Sequence, residues 1–382
     1  MTNCPLPFDY QSSTPCDLEV IEAMRPYWDE FWGNPSNRQN RLGLHGSAAI
    51  GLAREQIASY VNVKPERLIF TSGATEANNL ALLGHARSRV IEKGFPGHLI
   101  TMETEHRAVL DPMRQLEKEG FRLTVLKPNQ EGLISLDLLE EAFEEDTVLV
   151  SVMLANNEIG VIQPIHEISL LCKQRGIAFH TDAAQGFGYV PLDFVENDID
   201  FCSLSAHKIY GPKGIGGLII QDGLSIIPLQ WGGGQEEGLR PGTLPVPLIV
   251  GFAKAVEIAY KNINQNNQSL ELLRNHLLCG LKNRLPNLII NGSMEKRLPH
   301  NLNISFNGVN GNRLHKELKS FIHCTSGSSC SNGAPSHVLL SLGLNLKETE
   351  ASLRLSLGRG TRMHDIKKAI EIISKVVNLQ RN

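Results

Sequence analysis

Short apolar runs alternate with amphipathic stretches from about residue 65 to residue 225. Leu68-Ile69-Phe70 predicts a strand, followed by Thr71-Ser72-Gly73-Ala74-Thr75 and a helix from Glu76. Strands are expected at His98-Leu99-Ile100-Thr101, Arg122-Leu123-Thr124-Val125-Leu126 and Val148-Leu149-Val150-Ser151-Val152-Met153. Ile177-Ala178-Phe179-His180, Phe201-Cys202-Ser203-Leu204 and Gly217-Leu218-Ile219-Ile220 complete the series. Such alternation implies an α/β unit with helices packed on a mostly parallel sheet.

Beyond Gly242-Thr243-Leu244-Pro245 the texture changes. Residues 248–263 and 270–285 predict long helices, with a polar break over 262–268. Asn301-Leu302-Asn303-Ile304-Ser305-Phe306 and Leu353-Arg354-Leu355-Ser356-Leu357 alternate with period two, as strands do. This reads as a smaller α+β domain sharing a cleft with the first, with roughly the first 20 residues packed back on it. The expected division is a large domain over 16–248 and a small one made of 1–15 and 249–382.

The polar residues cluster where a parallel sheet places its ligands, past the carboxyl ends of strands. Gly73, Ala74 and Thr75 follow one strand, His106 another, Asn156-Asn157-Glu158 a third, Asp182 and Gln185 a fourth, and Ser205, His207 and Lys208 a fifth. A lysine just past a strand, preceded by hydroxyl and imidazole donors and followed by glycines, suits a Schiff base to pyridoxal phosphate (PLP). Asp182 would pair with the protonated ring nitrogen, which resolves the cost of burying an unpaired carboxylate; otherwise it is a helix N-cap. His106 is placed to stack on the ring, or is a satisfied core histidine. Gly73, Ala74 and Thr75 open a helix, where backbone N–H groups and the helix dipole favour an anion.

Cys330 lies in Cys324-Thr325-Ser326-Gly327-Ser328-Ser329-Cys330-Ser331-Asn332-Gly333, among small and polar residues, so an exposed loop is expected. A thiol near a cationic cofactor can be poised as thiolate; the plainer reading is an incidental cysteine in a Ser/Gly linker. His323, Cys324 and Cys330 match no familiar zinc spacing, and no resident metal is expected. Cys324 and Cys202 read as small buried residues. Arg354 alternates with apolar residues on a strand, and either forks onto a substrate carboxylate or makes a structural ion pair.

Composition narrows the class. The 382 residues carry Lys+Arg 37 against Asp+Glu 40, a net charge of −3, so neither a nucleic-acid footprint nor a polybasic membrane signal is present. No apolar run approaches the ~20 residues that span a bilayer. The N-terminus lacks the basic start and apolar stretch of a secretory signal. Seven scattered cysteines argue against a disulfide framework. A cytoplasmic enzyme is the expectation.

The chain resembles the cysteine desulfurases, within the class V aminotransferase group of PLP enzymes. The strings that carry the resemblance are Gly33-Asn34-Pro35-Ser36, Thr71-Ser72-Gly73-Ala74-Thr75-Glu76, Thr104-Glu105-His106 and Asn156-Asn157-Glu158-Ile159-Gly160. Further along come Ser205-Ala206-His207-Lys208-Ile209-Tyr210-Gly211-Pro212-Lys213-Gly214, Arg240-Pro241-Gly242-Thr243 and Ser326-Gly327-Ser328-Ser329-Cys330-Ser331. The last has the form found in the first group of these enzymes, which carry the cysteine on a long loop. The resemblance implies the aspartate-aminotransferase-like fold (fold type I), PLP as cofactor and L-cysteine as substrate. It implies Lys208 as the Schiff-base lysine, Asp182 on the pyridinium nitrogen, Gln185 near the ring hydroxyl, and His106 stacked on the ring with Asn157 close by. Phosphate would be held by Thr75, Ser205 and His207, with Thr243 from the opposite subunit of a homodimer. Arg354, Asn34 and Asn157 would hold the substrate. Cys330 would take the sulfur as a persulfide, pass it to an acceptor or iron–sulfur scaffold protein, and serve at most as a transient cluster ligand.

Two departures stand out. After Asn34-Pro35-Ser36 the family often has a small residue and soon a histidine, whereas Asn37-Arg38-Gln39-Asn40 follow here. The sequence ends at Asn382 soon after the last predicted helix, without the extension housekeeping members use to grip a scaffold protein. Three other readings keep the same residues: an aminotransferase needing no cysteine, a selenocysteine lyase, and a PLP-binding subunit without turnover.

Overall fold

The computed structural model describes residues 5–327 and 334–381. Seven strands form the main sheet: β2 (Leu68–Thr71), β3 (His98–Met102), β4 (Arg122–Leu126), β5 (Thr147–Ser151), β6 (Ala178–Asp182), β7 (Phe201–Ser205) and β8 (Gly216–Ile220), following a two-residue β1 (Leu6–Pro7). Their order is β2-β8-β7-β6-β5-β3-β4. All neighbours from β7 to β4 run parallel, and β8 is antiparallel to both β7 and β2.

The pleat explains why these strands read as unbroken apolar runs. Successive residues enter opposite cores: Ile69, Leu99, Leu149, Ala178, Phe201 and Leu218 on one face, Phe70, Ile100, Val150, Phe179, Cys202 and Ile219 on the other. Helices Ala74–Lys93 and Arg107–Lys118 cover the first face, and Arg41–Tyr60, Ile165–Arg175 and Val246–Lys261 the second. The last of these begins near the expected start of the small domain. Yet its Ile249, Phe252, Ala253, Ala255, Val256 and Ala259 lie in the core of the large sheet.

The polar stretch after it is not a break. Helix Ile263–Arg284 begins directly after Asn262, so the asparagines and glutamines of 262–268 lie at and just inside its start, with only Asn262 between the two helices. The second unit centres on β9 (Leu288–Ile290), β10 (Asn301–Phe306) and β12 (Ser352–Ser356), an antiparallel sheet in the order β12-β10-β9. Helices Ile263–Arg284 and Met363–Arg381 pack on it. The start of the N-terminal segment packs on this unit, β1 pairing in parallel with β11 (Ile322–His323) and Phe8 fully buried there, whereas Cys16 and Val20 lie against the core of the large sheet.

Period two in β10 does not mark a wet face. All six of its residues are buried, with Leu302, Ile304 and Phe306 in the small core. Asn301, Asn303 and Ser305 form a dry polar network instead. Asn301 and Asn303 each donate to the Glu158 carbonyl at 3.0 Å, Asn291 donates to Asn303 (2.7 Å) and Ser305 (2.9 Å), and Arg297 donates to Asn301 (2.9 Å). The two units thus meet through paired polar groups, as burial of such groups requires.

Beneath the carboxyl ends of the central strands, His180 bridges Ser151 (2.7 Å) and Ser203 (3.1 Å), tying β5, β6 and β7 side to side. Burial holds His180 and His300 down to about 3, and burial with the Lys208 and Lys213 charges holds His207 to about 4. These imidazoles are neutral in the native state and take protons only on unfolding. Between their native values and the ordinary 6.5 the unfolded chain binds more protons, so stability declines as pH falls through that window. Buried Glu105, its carboxyl pushed well up by burial, works in the opposite direction and offsets part of this. Urea midpoints are expected to fall between pH 6.5 and about 4.5; a flat profile would contradict the assignment.

Candidate active site

A cavity of about 490 Å³ opens past the carboxyl ends of β3, β5, β6 and β7. Gly73, Ala74, Thr75, His106, Asn157, Asp182, Gln185, Ser205, His207, Lys208 and Arg354, eleven of the fourteen residues singled out from the sequence, line it. Asn34 and Thr243 are exposed and stand outside it; Cys330 lies outside the described residues.

Asp182 ends β6 at the cavity floor and is 6 % exposed. One of its oxygens accepts from Asn78 Nδ2 (2.7 Å) and the other from the Ala184 N–H (2.9 Å), both neutral donors. A carboxylate whose partners are both neutral donors suits a cationic N–H in the cavity. Lys208 follows β7 on a short turn and donates to the backbone carbonyls of Gln11 and of Ser12, the latter at 3.0 Å. Its amine is therefore aimed at the cavity side of the N-terminal segment. Gln185 donates to the Gln11 carbonyl at 3.1 Å.

Helix Ala74–Lys93 starts at Gly73, whose φ of 151° is open to glycine and strained for other residues. Close approach demands a further glycine opposite: a Cβ on Gly216 would meet Gly73 Cα at 2.7 Å. Glu76 in the first turn is neutralised by Arg240 at 2.9 Å. Burial pushes its carboxyl up, but hydrogen bonds from Arg240 and Ser72 outweigh this and leave it below the usual value. The helix start is thereby left with free amides and a favourable dipole for an anion. His207 shares a 3.2 Å hydrogen bond with Ser13 and is neutral at physiological pH.

His106 caps helix Arg107–Lys118: its Nδ1 accepts from the Ala108 N–H at 3.1 Å, so the proton of the neutral ring sits on Nε2. Burial lowers its pKa, Asp182 acts against this, and the charges of Lys208 and His337 reinforce it. Arg354, 2 % exposed, donates to the Asn157 carbonyl (2.8 Å), Asp9 (2.7 Å) and Ser12 Oγ (2.6 Å), while its buried Nε has no hydrogen-bond partner among the described residues. The guanidinium makes the structural ion pair, with Asp9, and also lines the cavity.

Several contributors carried no signal of their own. Asp9, Gln11 and Ser12 sit in an unremarkable N-terminal run, and Asn78 is one polar residue of a helix. Only the fold brings them to Arg354, Lys208 and Asp182. Cys202 is buried as expected, whereas Cys324 is half-buried, its thiol pushed up to about 12 by burial. Among the described residues no cluster could hold a metal ion, and no helix is long and apolar enough to cross a membrane.

The aminotransferase class-V model matches residues 7–369. The chain belongs to the aminotransferase class-V family. Family members use PLP, and the donor set fits it: an amine, a supported carboxylate, a neutral imidazole and a helix N-terminus around one cavity. The chain is 45 % identical to a cysteine desulfurase IscS of Photorhabdus laumondii, over 99 % of this chain and 94 % of that protein. A cysteine desulfurase IscS of Rickettsia felis is 42 % identical over 99 % and 92 %. Among solved structures, a NifS-like protein superposes with a TM-score of 0.91 at 34 % identity, covering 98 % of this chain and all of that one. SspA in complex with cysteine gives 0.78 at 37 %, covering 92 % and 98 %.

Arg354→Ala strands Asp9 beside a buried void and is expected to cost about 3 kcal/mol of stability in guanidinium unfolding. Asp9→Asn, which keeps an acceptor for the guanidinium, is expected to cost less.

Proposed function

We propose that this chain is a PLP-dependent cysteine desulfurase that converts L-cysteine to L-alanine and holds the released sulfur on Cys330 as a persulfide. The observation that carries this is the cavity itself, where Lys208, Asp182, His106 and Arg354 converge, in a chain similar throughout to cysteine desulfurases.

Lys208, Asp182, Gln185, His106, Ser205, His207 and the Gly73-Ala74-Thr75 helix start would hold the cofactor. Bound there, it supplies an electron sink at the substrate carbons. Arg354 and Asn157 orient the substrate carboxylate, and Lys208 is the base within reach for the α-proton. The Cys330 thiolate attacks the substrate sulfur; an S–S bond forms, the C–S bond breaks, and its electron pair stays with the three-carbon skeleton. That skeleton takes up a proton and leaves as alanine. The net exchange is cysteine plus enzyme thiol giving alanine plus enzyme persulfide, with no outside oxidant. Support for Cys330 comes from elimination as well: among the described residues no cysteine lines the cavity, and burial raises the thiols of Cys16, Cys172, Cys202 and Cys324.

The sulfur would pass to a protein of iron–sulfur cluster assembly or of another thiolation pathway, in the cytoplasm. A homodimer is part of the same reading. Pro35, Ser36, Arg38 and residues 234–237 line a common groove that also includes Leu244, so Asn34 and Thr243 flank it rather than their own chain's cavity. Trp28, Trp32 and Trp231 are exposed in neighbouring sequence, a surface suited to a second copy that would receive Thr243 at its phosphate site. The proposed units are a cofactor-binding one and a smaller one bearing Cys330.

Intact-protein mass measured after adding L-cysteine, with alanine assayed in parallel, tests the reading. Wild type should gain one sulfur and release alanine, Lys208→Ala should do neither, and Cys330→Ser should keep its bound-cofactor absorbance without gaining sulfur. Alanine formed with no protein-bound sulfur, or normal turnover by Cys330→Ser, would remove Cys330 from the chemistry.

A further inference from the structure

Glu158 is fully buried in the loop after β5, next to Asn157, and lies between the two chain segments that lead to and from Cys330. On the far side, Ser336 donates its hydroxyl to Glu158 Oε2. On the near side, Gly327 packs so closely that a Cβ there would lie 2.9 Å from the same oxygen. The other oxygen, Oε1, is buried and has no hydrogen-bond partner among the described residues.

The surroundings fix this carboxylate firmly. The Glu158 N–H donates to Asn156 Oδ1 (2.8 Å), and its carbonyl receives both Asn301 and Asn303 from β10. A second tie holds the far segment: His337 Nε2 lies 3.0 Å from the Glu105 carbonyl. A carbonyl can only accept, so this ring nitrogen carries the proton. Glu105 precedes His106, and Glu158 follows Asn157, so each tie lands one residue from a cavity wall. The near segment is tied to β12 beside Arg354, since the Arg354 N–H donates to the Thr325 carbonyl (2.7 Å) and Ser352 Oγ to that of Ser326 (2.8 Å).

A buried carboxylate with one satisfied oxygen is costly to maintain, and a short apolar side chain would fill the space without that cost. Its retention here has a use that packing does not supply. We propose that Glu158, through Ser336 and against Gly327, and with the His337–Glu105 bond, is a positioning residue that fixes both feet of the Cys330 segment to the cavity wall for sulfur transfer. The idea rests on Cys330 being the sulfur-accepting residue. Because transfer needs two sulfur atoms in line, small displacements of the feet act on that step while leaving substrate capture alone.

The test is single-turnover mass spectrometry of sulfur on Cys330 at saturating L-cysteine, with KM for cysteine and bound-cofactor absorbance measured on the same proteins. Glu158→Ala and Ser336→Ala are each expected to slow sulfur appearance by about tenfold or more, with KM and absorbance within about twofold. The two together should be little worse than either alone, since they share one bond. Glu158→Gln, which keeps an acceptor oxygen, and His337→Gln, which keeps an N–H donor, should retain most of the rate, unlike His337→Ala. Wild-type rates in Glu158→Ala and Ser336→Ala would overturn the proposal while leaving the desulfurase reading intact. So would a rise in KM or loss of cofactor in step with the rate, which marks a general structural defect. Absence of sulfur on wild-type Cys330 would remove both.

Discussion

Asp182 is a carboxylate placed where carboxylates are expensive, at the buried end of the strand that runs down the middle of the sheet. The site depends on how that charge is kept. Its two oxygens take neutral N–H donors from Asn78 and Ala184, which leaves the carboxylate suited to a cationic group that enters the cavity. A protein cation at that position would have satisfied Asp182 and closed the site. His106, on the same cavity, has its pKa lowered by burial and its Nδ1 occupied by its own helix, so it does not take that place either. The Lys208 amine is turned toward the carbonyls of Gln11 and Ser12.

The sheet makes this arrangement possible because its central strands are parallel. Strands β2, β3, β5, β6 and β7 point their carboxyl ends to one edge, where they end in or lead to Gly73, His106, Asn157, Asp182 and Lys208 from separate parts of the chain. Antiparallel β8 adds no carboxyl end to that edge. It contributes a lack of side chain instead, at Gly216, where the backbone of Gly73 comes within reach.

Much of this could be read from the residues, and the reasons for what could not are specific. Strands buried on both faces appear as short apolar runs, which is why β3, β5, β6 and β7 were placed within a residue or two of where they lie. The site followed from them because chemistry on a parallel sheet sits past strand ends. In the stretch 262–268 Asn and Gln suggest a loop, while the first turns of a helix need only a polar exposed side and backbone bonds carried by the turns that follow. In β10 alternation correctly gave a strand, but sequence cannot distinguish a polar face turned to water from one turned to Glu158 and Arg297. Partners such as Asp9, Gln11 and Asn78 were beyond reach for the same reason. Their function is a matter of which other element they meet.

That buried polar face has a consequence for how the molecule holds together. An apolar seam between the two units would be indifferent to small slips, since hydrophobic contact has no direction. Asn301 and Asn303, held from their own unit by Arg297 and Asn291, converge on the Glu158 carbonyl and lose those bonds if the units shift by an ångström or so. The direction thus imposed bears on the site, because Arg354 on β12 belongs to the small unit while Asp182 and Lys208 belong to the large one. Arg354 reaches across to the Asn157 carbonyl at 2.8 Å and is anchored behind by Asp9, which the N-terminal segment brings back to the same place. A cavity built from two units needs their register fixed to better than the length of a hydrogen bond, and the seam is made of the groups that can fix it.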